Sequence, residues 1–199
     1  MFTRIVSFTD AKDIDAGIEF VRSTVAPLLH QQKGFRGTTA STDRAGGLFS
    51  VLSLWESEAD RDASDSALLK VREEAVKIIG GHLSVELFEE VFFELVGGPP
   101  SVGSFLLVTR AKSDPAKVDE VVERFRGEVL PQIRTAPGLL AVRQMVNRET
   151  GDGAVGTLWR DADAMRAGLR AAEERQRTLE LPVTIVDRSQ REIVFVDLV

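Results

Sequence analysis

Residues 54–63 read LWESEADRDA, and residues 158–167 read LWRDADAMRA. The two stretches hold the only two tryptophans of the chain, 104 positions apart. In each, an apolar run ends at Leu-Trp and an acidic, alanine-rich segment begins, the pattern of a strand that turns a corner into a helix. Sliding the chain by 104 extends the match on both sides. Asp15, Glu19, Arg22, Val25, Pro27 and Gly34 fall on Asp119, Glu123, Arg126, Val129, Pro131 and Gly138; Arg44, Gly47 and Val51 fall on Arg148, Gly151 and Val155. At the ends, VFFELV (91–96) matches VFVDLV (194–199) at a slip of 103. No shorter period recurs, so the pattern is a duplication and not a solenoid. The copies are residues 1–96 and 104–199, joined by a Gly/Pro linker, 97–103.

Each copy carries the same elements. A short β-run, TRIVSF (3–8) or SFLLVTRA (104–111), precedes a helix whose apolar positions keep 3.6 spacing: Ile14, Ile18, Val21 and Val25, or Val118, Val122, Phe125 and Val129. Pro27 and Pro131 should kink that helix or end its regular part, and Gly34 and Gly138 should stop it. Two strands follow, joined by the Gly/Asp-rich turns DRAGG and RETGDG. The next helix starts just after the Trp, with Ser57-x-x-Asp60 resembling a capping box and Asp161 as the second cap. A last strand closes each copy. The order β-α-β-β-α-β is the ferredoxin-like unit. Because the strands are apolar on both faces, two tandem units are expected to form an intramolecular α+β barrel, sheet against sheet with helices outside.

Composition bounds the chemistry. The chain has no Cys and no Tyr, and two His, so thiolate nucleophiles, Cys metal sites and phenol acids or bases are excluded. A net charge of −6 argues against a nucleic-acid partner. No run approaches the roughly 18 apolar residues of a membrane span, and MFTRIVSFTD lacks the apolar core of a signal peptide; the expectation is a cytoplasmic protein without a membrane partner. Whether the tandem chain pairs again as a homodimer is left open.

The segments KGFRG and PGLLA, the runs to LWESEAD and LWRDADA, and the closing strands resemble the antibiotic-biosynthesis-monooxygenase-like group of the dimeric α/β-barrel superfamily. The resemblance covers nearly the whole chain twice. It implies that one chain makes the barrel that other members make as homodimers. The superfamily includes cofactor-free quinol oxygenases, haem-degrading enzymes, isomerase-like members and non-enzymatic sensors, so function must be argued from the site.

Strand alternation puts Val51, Ser53 and Trp55 on one face and Leu52 and Leu54 on the other, with Val155, Thr157 and Trp159 aligned to the first set. The Leu face is expected under the helices and the Ser/Thr/Trp face inside the barrel, with Ser7 and Thr109 as companions on the first strand. On this reading Trp55 and Trp159 stack on a planar aromatic or quinol-like ligand and Ser53, Thr157, Ser7 and Thr109 orient its oxygens; equally, the two Trp could plug the barrel ends. Arg143, unusual in a strand, could bind a substrate carboxylate or enolate, or pair with an acidic neighbour. No catalytic residue is assigned: Glu56 and Arg160 could form a divergent site pair or be exposed helix-start residues, and Arg44 and Arg148 read as solvated turn residues. The resemblance implies, for haem-degrading members, a His on the helix after the Trp; counting reaches Glu73 and Arg177 instead, and His30 and His82 sit at a helix end and a loop. No haem, other cofactor or metal is expected. The function expected is small-molecule binding, with cofactor-independent monooxygenation as its enzymatic form; the alternative is a non-catalytic sensing or scaffolding barrel.

Overall fold

The structure, a computed structural model, describes all residues Met1–Val199. Eight antiparallel strands are hydrogen-bonded in the order β1 (Phe2–Thr9), β3 (Leu48–Trp55), β2 (Phe35–Asp43), β8 (Thr184–Leu198), β5 (Phe105–Lys112), β7 (Asp152–Trp159), β6 (Leu139–Val146), β4 (His82–Leu95), and the order closes on itself, which makes the fold an α+β barrel. No helix is long and apolar enough to cross a membrane. The chain groups into two compact units, Met1–Phe88 with Glu192–Val199 (unit 1), and Glu89–Arg191 (unit 2).

In unit 1, β1 (Phe2–Thr9) and β2 (Phe35–Asp43) flank β3 (Leu48–Trp55), and residues 192–198 of β8 (Thr184–Leu198) add to β2. In unit 2, β5 (Phe105–Lys112) and β6 (Leu139–Val146) flank β7 (Asp152–Trp159), and residues 89–95 of β4 (His82–Leu95) add to β6. Each unit's sheet is therefore completed by the last strand of the other copy.

The first helix of each copy is interrupted identically. α1 (Ile14–Phe20) passes through a π-helical turn, Val21–Val25, into α2 (Ala26–His30); α5 (Val118–Arg124) passes through Phe125–Val129 into α6 (Leu130–Arg134). Pro27 and Pro131 explain this. Proline offers no N–H to the preceding turn, and the residue before it bonds one position further back: Ala26 N–H to Val21 O, Leu130 N–H to Phe125 O. Gly34 and Gly138 then end the helices at φ +75° and +82°, backbone that glycine adopts without strain.

After the Trp, Ser57 caps α3 (Glu58–Ala63) by accepting from Asp60 N–H, and its hydroxyl donates to Asp60 Oδ2 at 2.6 Å. Asp161 caps α7 (Ala162–Thr178) through Ala164 N–H. In unit 1 the helix breaks at Ser64 and resumes as α4 (Asp65–Ile79), whereas α7 is continuous.

The assignment of strand faces is reversed from the expectation. Trp55 packs with Leu29 of α2 and Leu68 of α4, and Trp159 with Leu130 of α6 and Met165 of α7. The Val/Ser(Thr)/Trp face, not the Leu face, lies under the helices. Alternation separates two faces but cannot say which one a helix covers when both are apolar.

Candidate functional site

Unit 2 contains a cavity of about 520 Å³ between its sheet and its helices. The sheet side is Leu107, Thr109 and Ala111 of β5 with Gly153, Val155, Thr157 and Trp159 of β7. The helix side is Val121, Phe125, Val129 and Ile133 from the helix with the π-turn, and Gly168, Ala172 and Arg175 from α7. Gln144 of β6, Leu179, Glu180, Leu181 and Val183, with Ile185 and Arg188 of β8, add to the lining.

The same place in unit 1 is filled, leaving a cleft of about 50 Å³. The strand registers show why. Phe8 lies opposite Phe49, with ring centroids 6.4 Å apart, where unit 2 has Ala111 opposite Gly153. Arg4 lies opposite Ser53, where unit 2 has Leu107 opposite Thr157. The Arg4 guanidinium is 2% exposed, donates to Ser64 Oγ (2.9 Å) and Arg61 O (2.7 Å), sits 3.4 Å from Asp65 and lies over the Trp55 ring at 5.8 Å. α4 also runs on to Ala75 and Ile79, which are buried in the same cluster. α7 stops at Thr178, and the following residues run across the cavity without helical structure.

The two tryptophans thus have different surroundings. Trp55 is fully buried, edge-on to Phe35 at 5.7 Å. Trp159 is 3% exposed but lines the cavity, its ring held against α7 at Gly168. Their N–H groups are satisfied alike: Trp55 Nε1 donates to Ser53 Oγ (3.0 Å) and Trp159 Nε1 to Thr157 Oγ1 (2.9 Å), and each hydroxyl turns toward a first-strand carbonyl, Arg4 O or Leu107 O, at 3.4 Å. Ser53 and Thr157 therefore hold the indoles in place.

The polar groups of the unit 2 cavity are few. Gln144, opposite Val155, is 3% exposed, and its Oε1 has no hydrogen-bond partner. Arg188 has a buried Nε without a partner. Burial, reinforced by the like charge of Arg188, holds the Arg175 guanidinium below its ordinary pKa. Glu180 is the one carboxylate in the lining, and it is exposed.

Of the residues singled out from the sequence, Thr109, Thr157 and Trp159 meet at this cavity, and Ser53 and Trp55 occupy the equivalent place in unit 1. Ser7 does not belong with Thr109. The register aligns Thr109 with Val6, and Ser7 turns to the other face, 2.8 Å from Ser50 Oγ. Arg143 also lies on the face away from the helices, in an ion pair with Glu90 (2.5 Å) and over the Phe93 ring at 4.9 Å. Burial lowers its pKa while Glu90 raises it. Sequence reasoning noted Gln144 beside Arg143 without assigning it to the site, and passed over Arg175 and Arg188. Gln144 had a signal, a polar residue where the first copy has Ala40; the arginines had none, because their neighbourhood is set by where α7 ends.

The cavity lining includes no imidazole and no thiolate, so it does not fit a haem that needs an axial His. His30 pairs with Asp197 at 2.8 Å, and His82 lies 3.9 Å from Asp10, both in unit 1.

The closed eight-strand α+β barrel is a fold that several solved proteins share with this chain over nearly its whole length. A proposed monooxygenase of Fusobacterium nucleatum superposes with a TM-score of 0.71 at 12% identity, over 99% of this chain and 94% of that one. An anthrone oxidase-like protein gives 0.69 at 15% identity, over 98% and 92%. A heme-degrading enzyme from Listeria monocytogenes gives 0.55 at 9%, over 96% and 99%. In sequence, the chain is 28% identical to the uncharacterized protein Rv2558 of Mycobacterium tuberculosis over 188 residues, 93% of this chain and 79% of that protein. It is also 28% identical to Rv2557 of the same organism over 152 residues, 76% and 67%. No family model matches the chain.

Proposed function

We propose that this protein binds one flat, largely apolar small molecule per chain, in the cavity of unit 2, with the ring of the ligand beside Trp159 and its oxygens near Thr109 and Gln144. The observation that carries this reading is the contrast between a cavity of about 520 Å³ in one unit and about 50 Å³ in the other. Cavities of a few hundred Å³ with apolar walls and few polar groups are the usual form of a small-molecule site.

In its enzymatic form the function is cofactor-independent oxygenation. An anthrone-like substrate, once deprotonated, gives electrons to oxygen directly and leaves as the quinone with loss of water. The protein then contributes orientation and exclusion of solvent. The second reading, binding without turnover, is favoured by the lining itself, which carries no histidine and no buried carboxylate to serve as a base. Tryptophan-fluorescence titration with anthrone and a panel of quinols tests the site; saturable quenching is expected, and it should vanish in Gly153→Phe. Quenching that survives Gly153→Phe, or none at all, overturns it. Oxygen uptake with anthrone separates turnover from binding.

A further inference from the structure

Most arginines of unit 2 hold a carboxylate: Arg124 with Glu128, Arg126 with Glu123, Arg134 with Glu94, Arg143 with Glu90, Arg148 with Glu89 and Asp119, Arg160 with Asp161, Arg166 with Asp163, and Arg177 with Glu174. Arg175 and Arg188 are exceptions, and both line the cavity. They come from α7 and β8, are partly buried, and line the same cavity, where Arg188 Nε is buried without a partner. Glu180, the one acidic residue beside them, acts on Arg124 and makes no ion pair with either. Two unpaired guanidinium groups at an apolar cavity are costly unless an anion joins them, since burial of a cation without a counter-charge is unfavourable. The planar guanidinium fork matches a carboxylate in geometry.

We infer that the ligand of the unit 2 cavity is an aromatic acid: a flat apolar ring system whose carboxylate is held between Arg175 and Arg188, with a hydroxyl donated to the unpartnered Oε1 of Gln144. This rests on the reading of the cavity as the ligand site and adds the charge of the ligand. It also supplies the partners that Arg188 Nε and Gln144 Oε1 lack.

The test is calorimetric titration of the full chain with 3-hydroxy-2-naphthoate and with its methyl ester, which keeps the ring and hydroxyl and removes the charge. The acid is expected to bind at one site per chain at least about tenfold more tightly than the ester, as a charge-assisted hydrogen bond implies. Arg175→Gln and Arg188→Gln should each reduce the acid-to-ester affinity ratio by about tenfold, with the circular dichroism of each variant reporting that the chain is folded. Equal binding of acid and ester by the wild-type chain overturns the inference while leaving the cavity reading intact, as does acid binding that neither variant weakens. Binding of neither compound overturns both. Where a variant loses the ester as well, the acid-to-ester ratio of the wild-type chain decides.

Discussion

Ser53 and Thr157 stand two residues before their tryptophans on the same strand face and accept the indole N–H. A hydroxyl at this spacing lets a buried Trp satisfy its one donor locally. Thr157→Val keeps the shape and removes the acceptor; it should lower stability by about 1–2 kcal/mol in urea denaturation, with Thr157→Ser near wild type. Arg143 poses the opposite problem, since its partner Glu90 is almost fully buried. Arg143→Ala strands that carboxylate and should cost about 3–5 kcal/mol, whereas the double variant Arg143→Met/Glu90→Leu should recover most of the loss. Denaturation midpoints of the two variants check this; equal destabilisation of single and double variants would contradict it.

At the scale of elements, the cavity depends on two contacts. The first is between α7 and β7. A Cβ at Gly168 would lie 2.3 Å from Trp159 Cζ2, so the indole sits where only glycine leaves room. Gly168→Ala should displace the ring into the cavity, cost about 1–3 kcal/mol and shift the Trp emission. The second is the pair Ala111 and Gly153. A Cβ at Gly153 meets nothing closer than Met145 O at 3.5 Å, so a larger side chain can enter the open space. Gly153→Phe should abolish ligand binding and leave stability unchanged or raise it by about 1–2 kcal/mol. The reverse change in unit 1, Phe49→Ala, should cost about 3–5 kcal/mol because it empties a filled core. The repeated elements themselves were legible. Pro27 and Pro131, Gly34 and Gly138, Ser57 and Asp161 mark the same boundaries in both copies, because caps, helix ends and proline effects are local.

At the scale of the molecule, carboxylates that hold a hydrogen-bonded cation or a helix cap are spread over both units. Asp60 is held below its ordinary pKa by the Ser57 hydroxyl and Lys33, Asp161 by the Ala164 N–H and Arg160, and Asp152 by the Thr150 hydroxyl and Lys112. A carboxylate with a lowered pKa in the folded state contributes stability above its unfolded pKa and loses it as pH falls through the folded value. Denaturation midpoints should therefore stay level from neutral pH down to the ordinary carboxylate range and drop below it. If the midpoint fell well above that range, these groups would not be the cause.

The duplication, the order of elements and the α+β barrel class were determined by the sequence itself, since periodicity, turn residues and a 104-residue repeat are local or pairwise properties of the chain. Tertiary structure decided three further things. It put the Trp face of each sheet under the helices, a choice that alternation cannot make when both faces are apolar. It gave each sheet a last strand from the other copy, a pairing that depends on contacts distant in sequence. And it brought Phe8 to Phe49 but Ala111 to Gly153, so that one tryptophan is sealed in a core and the other borders a cavity. Each substitution is visible in the sequence. That the two small residues face each other across paired strands, and so leave one continuous space, follows only from the register.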